Sequence, residues 1–183
     1  AGRMVAKFWD QENGGFFYTS ADHKNLLVRT KPFHDVAVPS GNSTAALVLL
    51  RLSRLLDNPD YWTKAERILQ SMGDSIRSLP RAHLNLLCAL DFCLRPVTEI
   101  AIAGNPDHDD TRALLRVIHG QFLPNKVLAL AEADAADERL IPLLKGKTMI
   151  SGKATAYVCE NFACKQPVNA PDGLKATLRR VRQ

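Results

Sequence analysis

The chain has 183 residues, of which 46% are hydrophobic and 23% charged, a composition that fills a core and excludes a disordered polypeptide. The formal net charge is +5, yet the one basic concentration, Lys175, Arg179, Arg180 and Arg182, has no interleaved aromatics. It reads as a solvated tail, so nucleic acid is not an expected partner. No run of about 18 apolar residues occurs, so no membrane helix is expected.

In chain order, Met4 to Trp9 reads as the end of a helix that starts almost at residue one, as if the chain were a piece of a longer protein. Asp10 to Gly15 is a loop ending in a glycine pair. Phe16 to Thr19 and Leu26 to Arg29 read as the two strands of a β-hairpin with a polar loop between them. Thr30 to Pro39 is an irregular connection carrying Lys31, His34 and Asp35.

Three helices are predicted next. Pro39 to Ser43 offers several side-chain oxygens as caps, and the body that follows, Ala45 to Leu50, is apolar nearly all round. Asn58-Pro59-Asp60 opens the second, with proline in the first turn. Its apolar positions (Tyr61, Trp62, Ala65, Ile68, Leu69, Met72 and Ile76) fall at steps of three and four and make one stripe. Ser78-Leu79-Pro80 opens the third, which is again apolar on most sides. A helix apolar all round is buried all round, whereas a striped helix needs only one dry face. The order inner, outer, inner predicts a mainly α chain forming part of an (α/α)6 toroid. Three helices cannot close such a ring, so self-association through the open face is also expected.

Beyond Pro96 the pattern changes. Val97 to Ala103 reads as a strand, Gly104 to Asp107 as a turn, Leu114 to Phe122 as a helical face and Val127 to Leu130 as a second strand, together a βαβ unit. An acidic, alanine-rich stretch at 132–140 is a short helix or a loop. Ala154 to Val158 is a candidate third strand and Asp172 to Val181 a closing helix. The organisation expected is therefore a helical part over 1–95, with the hairpin near 16–29, and a small α/β element over 96–183.

Several stretches resemble the C-terminal region of the YyaL or spermatogenesis-associated thioredoxin-domain-containing protein family. These are Phe8-Trp9-Asp10, Gly14 to Phe17, Arg29-Thr30-Lys31, Asp35, Pro39 to Ala46, and the ending Ala156 to Cys164. The resemblance runs in order over nearly the whole chain. It implies an N-terminal thioredoxin-like domain elsewhere in the protein, followed by a toroid similar to those of N-acylglucosamine 2-epimerases and six-hairpin glycosidases. A sugar ligand is thereby implied only by analogy of fold.

The residues that could carry such chemistry gather on the early loops. Glycoside cleavage needs an acid and usually a second carboxylate, and epimerisation needs a base such as histidine. Asp35 and Asp10 are the candidate carboxylates and His34 the candidate base. Arg29, Lys31, Ser40 and Asn42 are candidates for holding the ligand, with Arg29 and Lys31 suited to an anionic group. The competing reading is structural: Asp10 caps the glycine turn, Arg29 pairs with Asp35, and Ser40 or Asn42 caps a helix. Gly104-Asn105-Pro106 stands where α/β folds bind phosphate, but it has one glycine and three acids follow, which argues against it.

Four cysteines in a chain this size do not force a disulfide framework, and a reducing, cytoplasmic compartment is the simpler expectation. Cys88 and Cys93 read as core residues on a helix. Cys159 and Cys164 have three readings: two ligands of a zinc site, a redox pair, or structural residues. No metal or cofactor is otherwise expected. Two functions stand open, a carbohydrate-binding or carbohydrate-modifying toroid, and a non-catalytic module supporting the thioredoxin-like domain.

Overall fold

The computed structural model describes residues 1–23, 26–132 and 140–181. Helix makes up 48% of it, and its named strands join in one four-stranded mixed sheet. The chain divides into two compact units, residues 1–53 with 58–94, and residues 54–57 with 95–183.

The first unit is helical. It contains α1 (Gly2–Phe8), α2 (Gly41–Leu56, whose last residues count with the second unit), α3 (Pro59–Ser71), α4 (Gly73–Ser78) and α5 (Leu84–Leu94), with a 3-10 turn at Pro80–His83. α3 starts where its residues dictate: the Asn58 side chain accepts the Asp60 N–H at 3.1 Å and Pro59 fills the first helical position. The predicted stripe through Ile76 is interrupted, because Met72 leaves helical geometry (φ −106°, ψ 2°) and Gly73 begins α4. α2 buries Ala45, Ala46, Leu49 and Leu50 together with Asn42, Ser43 and Ser53; α3 and α5, which pack together, bury Ala65, Ile68, Leu69, Leu86, Ala89 and Phe92.

The expected mainly α chain carrying part of an (α/α)6 toroid is not what forms. The two helices read as inner ones each have a wet side: α2 exposes Val48 and Arg51, and α5 exposes Leu84, Cys88 and Leu94. A run of leucine and valine raises a helix's apolarity without removing its solvent face, since single exposed apolar side chains are common. The regular structure that follows is a sheet with its own core rather than further helical hairpins. The expected hairpin strands at 16–19 and 26–29 are also absent. Phe16 instead bridges antiparallel to Trp9, their rings meeting edge-on at 5.0 Å between centroids. Leu26, Leu27 and Val28 point to solvent, and part of the intervening loop lies outside the described residues.

The second unit is built on strands in the order β2-β1-β3-β4, with β1 Thr98–Ala103, β2 Lys126–Ala131, β3 Thr155–Glu160 and β4 Ala163–Cys164. β1 pairs parallel with β2 across the helix α6 (Asp109–His119) and antiparallel with β3. All six residues of β1 are buried, which accounts for its near-continuous apolar run. Ile100, Ile102, Ala156 and Val158 on one sheet face form a core with Leu114 and Ile118 of α6 and Leu174 and Leu178 of α7 (Pro171–Val181). Alternation along the strands puts Glu99, Ala101 and Cys159 on the other face, where β1 meets a 3-10 turn at Pro142–Leu144. The acidic stretch expected at 132–140 lies almost wholly outside the described residues.

Candidate functional site

Six of the seven candidate residues lie on the early loops and Asn42 in the first turn of α2, and they fall into separate groups rather than one. Asp10 follows α1 and is buried. Its Oδ1 accepts the backbone N–H groups of Glu12 at 3.0 Å and Asn13 at 3.2 Å, and its Oδ2 receives Lys31 Nζ at 2.6 Å. Lys31 Nζ also donates to the Gly14 carbonyl at 3.2 Å. Asp10 thus closes the glycine turn, whose Gly14 and Gly15 have φ of +72° and +79°. The Lys31 ammonium holds the Asp10 carboxyl far below the usual carboxylate range, against the opposing effect of burial and with help from the two N–H groups.

Asp35 belongs to a second group. Its Oδ1 accepts from Ser40 N at 2.8 Å and Ser43 Oγ at 2.6 Å, and its Oδ2 accepts from Asn85 N at 2.8 Å. One carboxylate therefore serves the N-terminal ends of α2 and α5, where backbone N–H groups have no partner within the helix. Ser40 adds the ordinary cap, its Oγ accepting Ser43 N at 3.0 Å, and Asn85 Nδ2 donates to Ser43 Oγ at 3.1 Å. Burial alone would raise the Asp35 pKa, but the Ser43 hydroxyl and the N–H groups of Ser40, Asn85 and Leu86 outweigh it and the net shift is downward.

The remaining candidates bond elsewhere. Asn42 is buried and reads the backbone of the preceding loop, donating to the Phe16 and Pro32 carbonyls at 2.9 and 3.0 Å and accepting Phe16 N at 2.6 Å. Arg29 donates to the Thr19 carbonyl at 2.7 Å and lies 4.0 Å over the Phe17 ring; the alternative pairing of Arg29 with Asp35 is not the contact it makes. His34 is exposed and stands 5.0 Å from the ring of buried His83. The sequence marks Ser43 only as a possible cap, and Asn85 escapes notice because its partner Asp35 lies fifty positions away; His83, bonded to Ser75 at 2.9 Å, carries no motif that marks it. A shallow apolar pocket of about 200 Å³ opens beside this region, lined by Met4, Phe8, Phe17, Tyr18 and Ala45 among others.

In the second unit the strand-to-helix turn after β1 is taken up by packing. A Cβ on Gly104 would stand 2.5 Å from Thr111 Oγ1 and 2.8 Å from Ala154 Cβ. Asp110 Oδ2 accepts Ala154 N at 2.8 Å, and that bond leads in holding its carboxyl low. Buried Glu99 is pushed the other way by desolvation, opposed by the Phe162 N–H at 2.8 Å and the Arg54 guanidinium at 3.5 Å. Cys159 and Cys164, opposite one another on β3 and β4, are joined in a disulfide. The signal that could have found it is the spacing, which leaves two residues to turn after the flanking pair Glu160 and Ala163. Cys88, expected in the core, is exposed. Among the described residues no three His, Cys, Asp or Glu side chains stand together as a metal site.

Fold and site together define a helical module joined to a small mixed-sheet module, with its loop carboxylates engaged by backbone and lysine. No protein-family model matches the chain, and no solved structure matches it. Over 174 residues it is 36% identical to spermatogenesis-associated protein 20 of Rattus norvegicus and of Homo sapiens, an alignment covering 93% of this chain and 22% of each relative. An uncharacterized protein of Caenorhabditis elegans is 26% identical over 165 residues. Homologues named spermatogenesis-associated protein 20 thus cover nearly all of this chain, and the chain spans about a fifth of their length (22%). No helix among the described residues is long and apolar enough to cross a membrane.

Proposed function

We propose that this chain is a non-catalytic supporting and interaction module within a longer protein, whose partner in the same polypeptide is the thioredoxin-like domain implied by the sequence resemblance. One observation carries the reading: both candidate carboxylates are committed to fixing backbone. A general acid must hold its proton near neutral pH, and both Asp10 and Asp35 are shifted the opposite way. The exposed run of Leu26, Leu27 and Val28 with Val36 and Val38 offers apolar surface for a partner.

The test is thermal unfolding of the chain against a panel of sugars and sugar phosphates. No ligand is expected to raise the midpoint, and Asp35→Asn is expected to lower it. A ligand at about 100 times its dissociation constant would stabilise the fold by roughly 2.7 kcal/mol; such a gain, abolished by Asp35→Asn, would replace this reading with a carbohydrate site.

A further inference from the structure

We propose that the Cys159–Cys164 pair is a thiol–disulfide exchange site for a dithiol partner, in which Cys164 is the sulfur that reacts and Cys159 the one that resolves. This goes beyond the supporting role and does not depend on it.

The two sulfurs have opposite surroundings. Cys164 lies exposed on the two-residue strand β4, whereas Cys159 is 1% exposed on β3. Lys147 Nζ stands 3.1 Å from Cys164 Sγ. An ammonium at that distance favours the thiolate, which is the form that attacks and the form that leaves. Cys159 has no such access to solvent, so an incoming thiol can reach only one end of the bond.

The hairpin does not need the disulfide to stay in place. Its turn, with positive φ at Asn161 and Phe162, is tied to β1 by Phe162 N donating to Glu99 Oε2 at 2.8 Å. Lys165 N donates to the Val158 carbonyl at 2.9 Å, Lys165 Nζ pairs with Glu160 at 3.2 Å, and Ala156 and Val168 exchange two backbone bonds. The loop closed by the bond is also short, so the crosslink restricts the unfolded chain little. A bond that is redundant for the fold and open at one sulfur is suited to being broken and remade.

The thiolate of a dithiol attacks Cys164 Sγ and forms a mixed disulfide; the Cys159–Cys164 bond breaks, its electron pair goes to Cys159 Sγ, and that sulfur takes up the proton the attacking thiol released. The second thiol of the partner then attacks the mixed disulfide. Cys164 leaves as a thiolate beside the Lys147 ammonium and takes up the proton released by the second thiol, so the partner is oxidised to its own disulfide and this chain becomes a dithiol. The reverse direction oxidises this chain.

The test uses the full chain with Cys88 and Cys93 replaced by serine. Native, oxidised protein is treated with dithiothreitol and its thiols are counted. The single-thiol variants Cys159→Ser and Cys164→Ser are timed for mixed-disulfide formation with glutathione disulfide. Reduction without loss of the far-ultraviolet helical signal is expected, with Cys159→Ser reacting at least about tenfold faster than Cys164→Ser. Adding Lys147→Gln to Cys159→Ser should slow it several-fold near neutral pH. Equal rates for the two single-thiol variants, reduction only in denaturant, or unfolding on reduction would each overturn the proposal and leave a structural staple.

Discussion

Both units bury apolar side chains, but they differ in how their irregular segments are fixed. The first organises its loops around buried polar groups: Asp10, Ser40, Asn42, Ser43 and His83 are all inside, and each but His83 satisfies backbone that no helix serves. The second rests on an apolar sandwich, with a sheet face of Ile100, Ile102 and Val158 under α6 and α7. Hydrogen bonds contribute modestly when made and cost heavily when one partner is lost, whereas apolar burial scales with the atoms removed. The loops of the first unit are therefore sensitive to single polar atoms, and the sheet-and-helix core of the second to volume.

The largest effect expected is Leu114→Ala, which empties a fully buried position in the second unit and should cost about 3 kcal/mol. Native-state hydrogen exchange would read it on the amides of α6 and β1, and a loss confined to other elements would break the contrast. Asp35→Ala should follow at about 2 kcal/mol, since it uncaps two helices and strands buried donors. The same residue gives a pH signature. Its folded pKa is lowered, so its contribution is present above the ordinary aspartate value and is lost as pH falls below about 4 toward the folded value. Acid titration of stability should accordingly be flatter in Asp35→Asn than in the parent chain. Gly104→Ala brings a methyl against Thr111 and Ala154 and should cost about 1–3 kcal/mol. At the small end, Arg77→Ala removes an ion pair with Asp74 whose two side chains are at the surface, and urea unfolding should not detect it.

Legibility in the sequence followed the same divide. The strand Thr98–Ala103, its glycine turn and α6 could be read directly, because a fully buried strand and a one-sided helix each impose a local period. Asn58 and Pro59 announced α3 for the same reason. What could not be read was what depends on distant residues. Asp35 was open to a catalytic role or to a pair with Arg29, because Asn85, fifty positions on, leaves no local mark of its need for an acceptor. Phe16 to Tyr18 had the composition of a strand, but Trp9 competed for Phe16 and no partner strand formed. No ring forms from these helices because a helix can be apolar in composition and still keep a wet face, as exposed Leu84 and Val48 do.

The central strand also shapes how the molecule reaches its native state. β1 is hydrogen-bonded on both edges, to β2 through a crossover and to β3 from much further along the chain. Neither pairing is local, so chain must be gathered before any ladder bond rewards it. The helices of the first unit can form from neighbours in sequence, while the sheet waits for three separated segments to meet. Refolding should therefore show helix signal rising ahead of protection in β1, with the last strand to dock setting the pace.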